Sequence, residues 1–137
     1  MLDALIKAKR LPGGEVLLRD VELTAKPGEI VALLGASGTG KTTTLRILLG
    51  LDRAFDGKVR CEAERVGAMF QEPLLLPWCS VSENLRIVAR AGAAMPDIDA
   101  LLREVGLEGS DALFPAQLSL GMARRAALAR ALAIEPD

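Results

Sequence analysis

The chain has no histidine, no tyrosine and few aromatics, 3% in all. With no histidine, and with Cys61 and Cys79 the only cysteines and not in C-x-x-C spacing, a Cys/His metal site is excluded by inventory. Both thiols are expected to be ordinary buried or half-buried side chains. No stretch approaches the roughly 18 apolar residues of a membrane span. Met1 to Arg10 lacks the basic region, apolar core and small-residue cleavage site of a secretory leader, so cytosolic residence is expected. Basic runs are also missing: 17 Lys and Arg stand against 18 Asp and Glu, a net charge of −1, and nucleic acid is not an expected partner. There is no internal repeat and no low-complexity linker. At 137 residues the length suits one domain, and the 50% apolar content is ample for a core or a partner surface.

Against these absences stands one complete motif. Residues 35 to 42 read Gly35-Ala36-Ser37-Gly38-Thr39-Gly40-Lys41-Thr42, a G-x-x-x-x-G-K-[ST] string, with Thr43 following. Glycines at 35, 38 and 40 let the backbone curl with positive φ and turn its N–H groups onto phosphate oxygens. Lys41 can reach the β- and γ-phosphates, and Thr42 offers a hydroxyl to Mg²⁺. The helix that begins there points its positive end at the anion. A glycine-rich turn with an incidental lysine is the plain alternative, but the flanks argue against it. Glu29 to Leu34 is a near-continuous apolar run after a Pro27-Gly28 turn, as expected of a strand buried in a parallel sheet. Thr43 to Leu49 follows as a helix ending near Gly50. The chain is therefore expected to bind a nucleoside triphosphate.

Upstream, Leu5 to Lys9, the turn Pro12-Gly13-Gly14, and the runs Val16 to Leu18 and Val21 to Thr24 suggest an antiparallel hairpin in a small β-layer. Gly57 to Cys61 and Val66 to Phe70 are further strand candidates. Ser82 to Ala91 and Ile98 to Val105 have helical spacing, with Ser or Asp placed as N-caps. A last helix runs from about Ser119 to Ala133, with Leu128, Ala131 and Leu132 expected on its packing face beside Arg124, Arg125 and Arg130.

Two more segments complete a pattern. Phe70-Gln71-Glu72-Pro73, with Leu76-Pro77-Trp78 and Val81-x-x-Asn84, resembles the Q-loop of ABC transporter ATPases. Leu118-Ser119-Leu120-Gly121-Met122 resembles their signature motif. With the phosphate loop this makes three family motifs in order, spanning Gly28 to Asp137, and the Pro-Trp-x-x-Val-x-x-Asn element is similar to importers of nitrate, sulfonate and taurine type. The resemblance implies an α/β P-loop fold of ABC type: an N-terminal β-layer, a partial parallel core sheet and a helical subdomain, divided near residue 70. It implies an ATP-binding subunit coupling ATP binding and hydrolysis to import of a small anion, lying on the cytoplasmic face of the cell membrane. Its partners would be a transmembrane permease, a second ATPase subunit and, indirectly, a periplasmic solute-binding protein.

Residue by residue, the resemblance gives Gln71 as a ligand to Mg²⁺ or the attacking water, although alone it reads as a solvated loop residue. Leu74, Leu75, Leu76 and Trp78 form an apolar loop cluster, either a permease-facing surface or an internal mini-core. Ser119 sits as an N-cap, so its hydroxyl and the Gly121 N–H could grip a γ-phosphate bound by the other protomer of a two-fold dimer. Leu120 and Met122 depart from the L-S-G-G-Q pattern, and loss of the first Gly is expected to restrict φ. No aromatic precedes Phe55, so base selectivity stays open. After Ala133 to Asp137 the family pattern enters an apolar strand ending in Asp-Glu. With that strand and a later His absent, no catalytic residue is assigned, hydrolysis by this chain alone is not expected, and a truncated product is the reading. A non-hydrolysing nucleotide-binding fragment or interaction module is the alternative.

Overall fold

The computed structural model describes residues 1–88 and 95–137, and these divide into two compact units, Met1–Ala63 and Glu64–Asp137. The first is built on a three-stranded antiparallel sheet in the order β2-β1-β3. β1 is Leu2–Arg10, β2 is Val16–Ala25 and β3 is Asp56–Cys61. The expected hairpin forms: Leu2 pairs with Ala25 and Lys9 with Leu18, around a turn in which Gly14, at φ 86, donates to Leu11 O at 2.8 Å. The two runs expected on its second arm are one strand. They are joined through Asp20, whose φ of 49 is left-handed and suits a short polar side chain. Gly57 to Cys61 is a strand as expected. Cys61 is exposed rather than buried, because it ends an edge strand.

Alternation along β1 sends Ala4 and Ile6 inward and Leu5 and Lys7 outward, so one sheet face is apolar. Helix α1, Lys41–Leu48, places Ile47 with Ile6 and Leu18, and Phe55, Val59, Val21 and Leu17 close the cluster. Full burial of Ile6 and Ile47 contributes roughly 1.5–3 kcal/mol each. Lys9 breaks the alternation and is buried as well. Its ammonium donates to Asp52 at 2.8 Å and to Ala54 O at 2.9 Å, tying β1 to the segment after α1.

The second unit is helical. α2 is Val81–Arg86, α3 is Ile98–Glu104 and α4 is Leu120–Leu132, with a 3₁₀ turn at Pro115–Gln117. Val81 and Leu85, Ile98 and Leu102, Leu107, and Ala126 and Ala129 make its core. Ser80, not Ser82, caps α2: it accepts from Glu83 N–H while Glu83 returns to Ser80 N–H at 2.7 Å. The expected continuation of this helix to Ala91 falls partly at 89–94, outside the described residues. α4 has the expected span but not the expected face. Ala126, Ala129 and Ala133 are buried and Leu128 is 40% exposed, because small side chains let α2 and α3 approach closely.

Two expected strands are not formed. Glu29–Leu34 and Val66–Phe70 pair with no segment among the described residues, and Ile30 and Leu34 are 97% and 91% exposed. Apolar runs acquire strand structure from ladder partners on both sides, and neither has one here.

Candidate functional site

Residues 35–40 follow the Pro27-Gly28 turn and the irregular 29–34 segment as an exposed loop and enter α1 at Lys41. Gly38 and Gly40 have φ of 83 and 90, and a Cβ on Gly35 would stand 2.9 Å from Thr39 Oγ1. The backbone therefore folds where side chains are strained or obstructed. Thr39 Oγ1 donates to Ala36 O at 2.9 Å, which closes the loop on itself. Lys41 reaches back over it, its ammonium 2.8 Å from Gly35 O and 2.6 Å from Ala36 O. Thr44 is the first residue of α1 whose N–H bonds backward, to Gly40 O at 2.7 Å, and Thr42 is exposed.

The helix starts differ in one respect. α2, α3 and α4 are capped by Ser80, Asp97 and Ser119, each accepting from a backbone N–H of its own first turn. α1 begins at left-handed Gly40 with no side-chain cap. Its first N–H groups, those of Lys41, Thr42 and Thr43, have no side-chain cap, and an anion at the helix start would complete them. A cradle of positive-φ glycines, an uncapped helix start, one ammonium and one hydroxyl fit a polyphosphate with its divalent cation.

In the second unit, Ser119 Oγ accepts from Met122 N–H at 3.2 Å, as expected of the N-cap. Leu120 is exposed and helical with a φ that is not positive, so the start of α4 forms without the conformational freedom of a glycine there. Gly121 is exposed in the first turn. Gln71 is exposed in irregular chain and does not leave a strand end, because 66–70 forms none. The apolar cluster divides: Leu75 packs on the helical core, while Leu74 and Trp78 are 56% and 72% exposed.

Sequence reasoning missed what holds this loop. Asn84 is 1% exposed; its Oδ1 accepts from Leu76 N–H at 2.8 Å and its Nδ2 donates to Leu76 O, Cys79 O and Ser80 O at 3.2, 3.1 and 2.9 Å. Its place in Val81-x-x-Asn84 was visible, but the carbonyls it meets were not. Arg125 donates to Val105 O and Gly106 O at the end of α3, the favourable position for a cation. Asp137 accepts from Glu64 and Arg65 N–H groups at 2.6 and 3.1 Å, and these backbone bonds, first that of Arg65, hold its carboxyl below the usual range.

A family model described as ABC transporter matches residues 18–137. The chain belongs to the ABC transporter family. An aliphatic sulfonates import ATP-binding protein of Burkholderia cenocepacia is 46% identical over 95% of this ABC chain and 51% of its own length. One from Pseudomonas savastanoi pv. phaseolicola is 44% identical over 90% and 52%. The chain thus spans about half the length of the curated relatives it matches. A dimeric bacterial ABC transporter cassette superposes with a TM-score of 0.86 at 30% identity, over 99% of this chain and 71% of that one. A dimeric ATP-binding cassette in a post-hydrolysis state, bound to ADP and Pi, gives 0.85 at 29%. The fold is therefore the α/β P-loop fold of ABC cassettes, present here as its β-layer, phosphate loop and helical part. No described helix is long and apolar enough to cross a membrane.

Proposed function

We propose that this chain is the nucleotide-binding part of an ABC importer's ATP-binding subunit, taking ATP with Mg²⁺ at residues 35–43. The uncapped start of α1 beneath a positive-φ glycine loop carries the reading. Backbone N–H groups of Gly35 to Gly40 and the first turn of α1 would hold phosphate oxygens. The Lys41 ammonium would exchange its loop carbonyls for the β- and γ-phosphates, a stronger charge-assisted contact. Thr42 would hold Mg²⁺, which supplies charge neutralisation to the phosphates, and Gln71 is proposed separately as a ligand of Mg²⁺ or of the attacking water. Ser119 and Gly121 would meet the γ-phosphate of nucleotide bound by a second protomer, and the Leu74 and Trp78 surface would meet a permease subunit on the cytoplasmic side of the membrane. The names of the relatives favour aliphatic sulfonates as the imported class within the small anions, with a periplasmic solute-binding protein delivering them.

Lys41 is the only side-chain cation of the loop. Lys41→Ala is expected to weaken ATP binding at least tenfold, about 1.4 kcal/mol. Isothermal titration of parent and variant checks this, and equal affinities would remove the phosphate-loop assignment.

A further inference from the structure

Leu74 has a φ of 49, a left-handed conformation that a side-chain-bearing residue keeps only when its surroundings hold it. Its surroundings are two side chains from different helices. Arg130 Nη1 donates to Leu74 O at 2.8 Å and Nη2 to Pro73 O at 3.0 Å, so one guanidinium spans two successive carbonyls. Asn84 holds the next residue but one, through both Leu76 N–H and Leu76 O. The planar fork matters, because a lysine ammonium on a flexible stem cannot present two fixed parallel donors.

Arg130 also has a particular address. It stands in the last turn of α4, roughly 16 Å along the axis from Ser119 at 1.5 Å per residue. The residues it steadies lead directly to Trp78, which, like Leu74, is too exposed to be held by the core. The hydrophobic cluster anchors Leu75 but leaves the turn at Pro73 and Leu74 to polar contacts.

We propose that Arg130 is a positioning residue that locks the Pro73–Leu74 turn to α4, so that the helix headed by Ser119 and the exposed loop carrying Leu74 and Trp78 shift as one body. The inference rests on the proposed function in taking the first turn of α4 as a phosphate contact and the loop as a permease contact. A displacement of α4 caused at Ser119 then reaches Pro73 and Leu74 through two hydrogen bonds, beside the apolar contact that Leu75 makes with the core.

Trp78 is the only tryptophan and reports on the loop directly. Arg130→Lys and Arg130→Gln, made in the whole chain, should speed hydrogen exchange at the Leu76 amide by about tenfold or more and raise acrylamide quenching of Trp78, since charge-assisted hydrogen bonds are lost. Exchange at Ala126 and Ala129 should change far less. Unchanged Leu76 exchange in both variants, or an equal acceleration at Leu76 and in α4, would overturn the proposal, the latter because it marks Arg130 as a general stabiliser. Should Arg130→Gln fail to fold, Leu74→Gly provides a separate arm. Glycine takes the left-handed φ without strain, so Arg130→Lys should cost less protection at Leu76 in the Leu74→Gly background than alone, and equal losses count against the lock. Saturating MgATP should shift Trp78 emission in the parent and not in Arg130→Lys, with ATP affinity equal in the two. A parent that binds ATP without a shift, or the same shift in both chains, defeats the one-body coupling. A parent that binds no ATP defeats the nucleotide function instead, leaving exchange at Leu76 to judge the lock.

Discussion

Asn84 shows how one residue can organise a segment that composition describes only as greasy. Four hydrogen bonds from a side chain 1% exposed replace the ladder or helix that the 76–80 backbone lacks. Asn84→Ala would take from Leu76 N–H and Cys79 O the partner they have here and remove one of two donors to Leu76 O and Ser80 O, at a cost of about 1–3 kcal/mol. A lower urea midpoint with an unchanged m-value is the expected result. Three carboxylates are held below their ordinary values: Asp52 chiefly by the Lys9 side chain, Glu83 by the Ser80 backbone N–H, and Asp137 by the Arg65 backbone N–H. A depressed folded value means the stabilisation is complete above the ordinary values, 3.8 for the aspartates and 4.5 for the glutamate, and is lost as pH falls through the lower folded ones. Melting temperature should accordingly stay level down to about pH 5 and fall below it, with Asp137→Asn reducing the dependence. The Asp52–Lys9 and Asp137–Arg65 partnerships were not readable in the sequence, because each joins groups far apart along the chain whose meeting depends on the fold. Lys9 is the same case: an alternating strand gives no warning that one lysine turns inward, and Asp52 lies 43 positions away.

At the scale of elements, local signals were legible wherever a short-range contact sets them. Pro12 to Gly14 makes its turn, Ser119 caps α4 and Asp97 caps α3, each through hydrogen bonds within a few residues. The phosphate loop was legible for the same reason, since positive φ at Gly38 and Gly40 is a demand only glycine meets easily. At Gly38 a Cβ would meet nothing within 4 Å, so the position tests conformation alone. Gly38→Ala should raise the energy of the loop's curled form by about 1–2 kcal/mol. ATP affinity should fall roughly fivefold or more while melting temperature changes little, and calorimetry with a thermal melt checks both. The face of α4 was not legible. Alanines stand on several sides of it, and which of them are buried is decided by where α2 and α3 press, a choice that periodicity in α4 does not contain.

For the whole molecule, the apolar run at 29–34 has consequences for solution behaviour. Ile30 and Leu34 are almost fully exposed and Val31 is half exposed, on backbone with no ladder partner among the described residues. Such a segment templates association with another chain. The 137-residue chain is expected to self-associate, and Ile30→Lys with Leu34→Lys to reduce it. Size-exclusion chromatography with light scattering checks this, and a compact monomer from the parent chain would refute it. The sequence by itself determined the chemistry of the phosphate loop, the caps and the order of the family motifs, because each depends on residues near one another along the chain. Even the family followed from three short strings. Only the tertiary structure decided that 29–34 and 66–70 have no strand partner among the described residues, that alanines rather than leucines of α4 are buried, and that Asn84 and Arg130 hold the loop before α2. Strand pairing, burial and side-chain grip on distant carbonyls are relations between segments, and their free energy exists only once those segments have met.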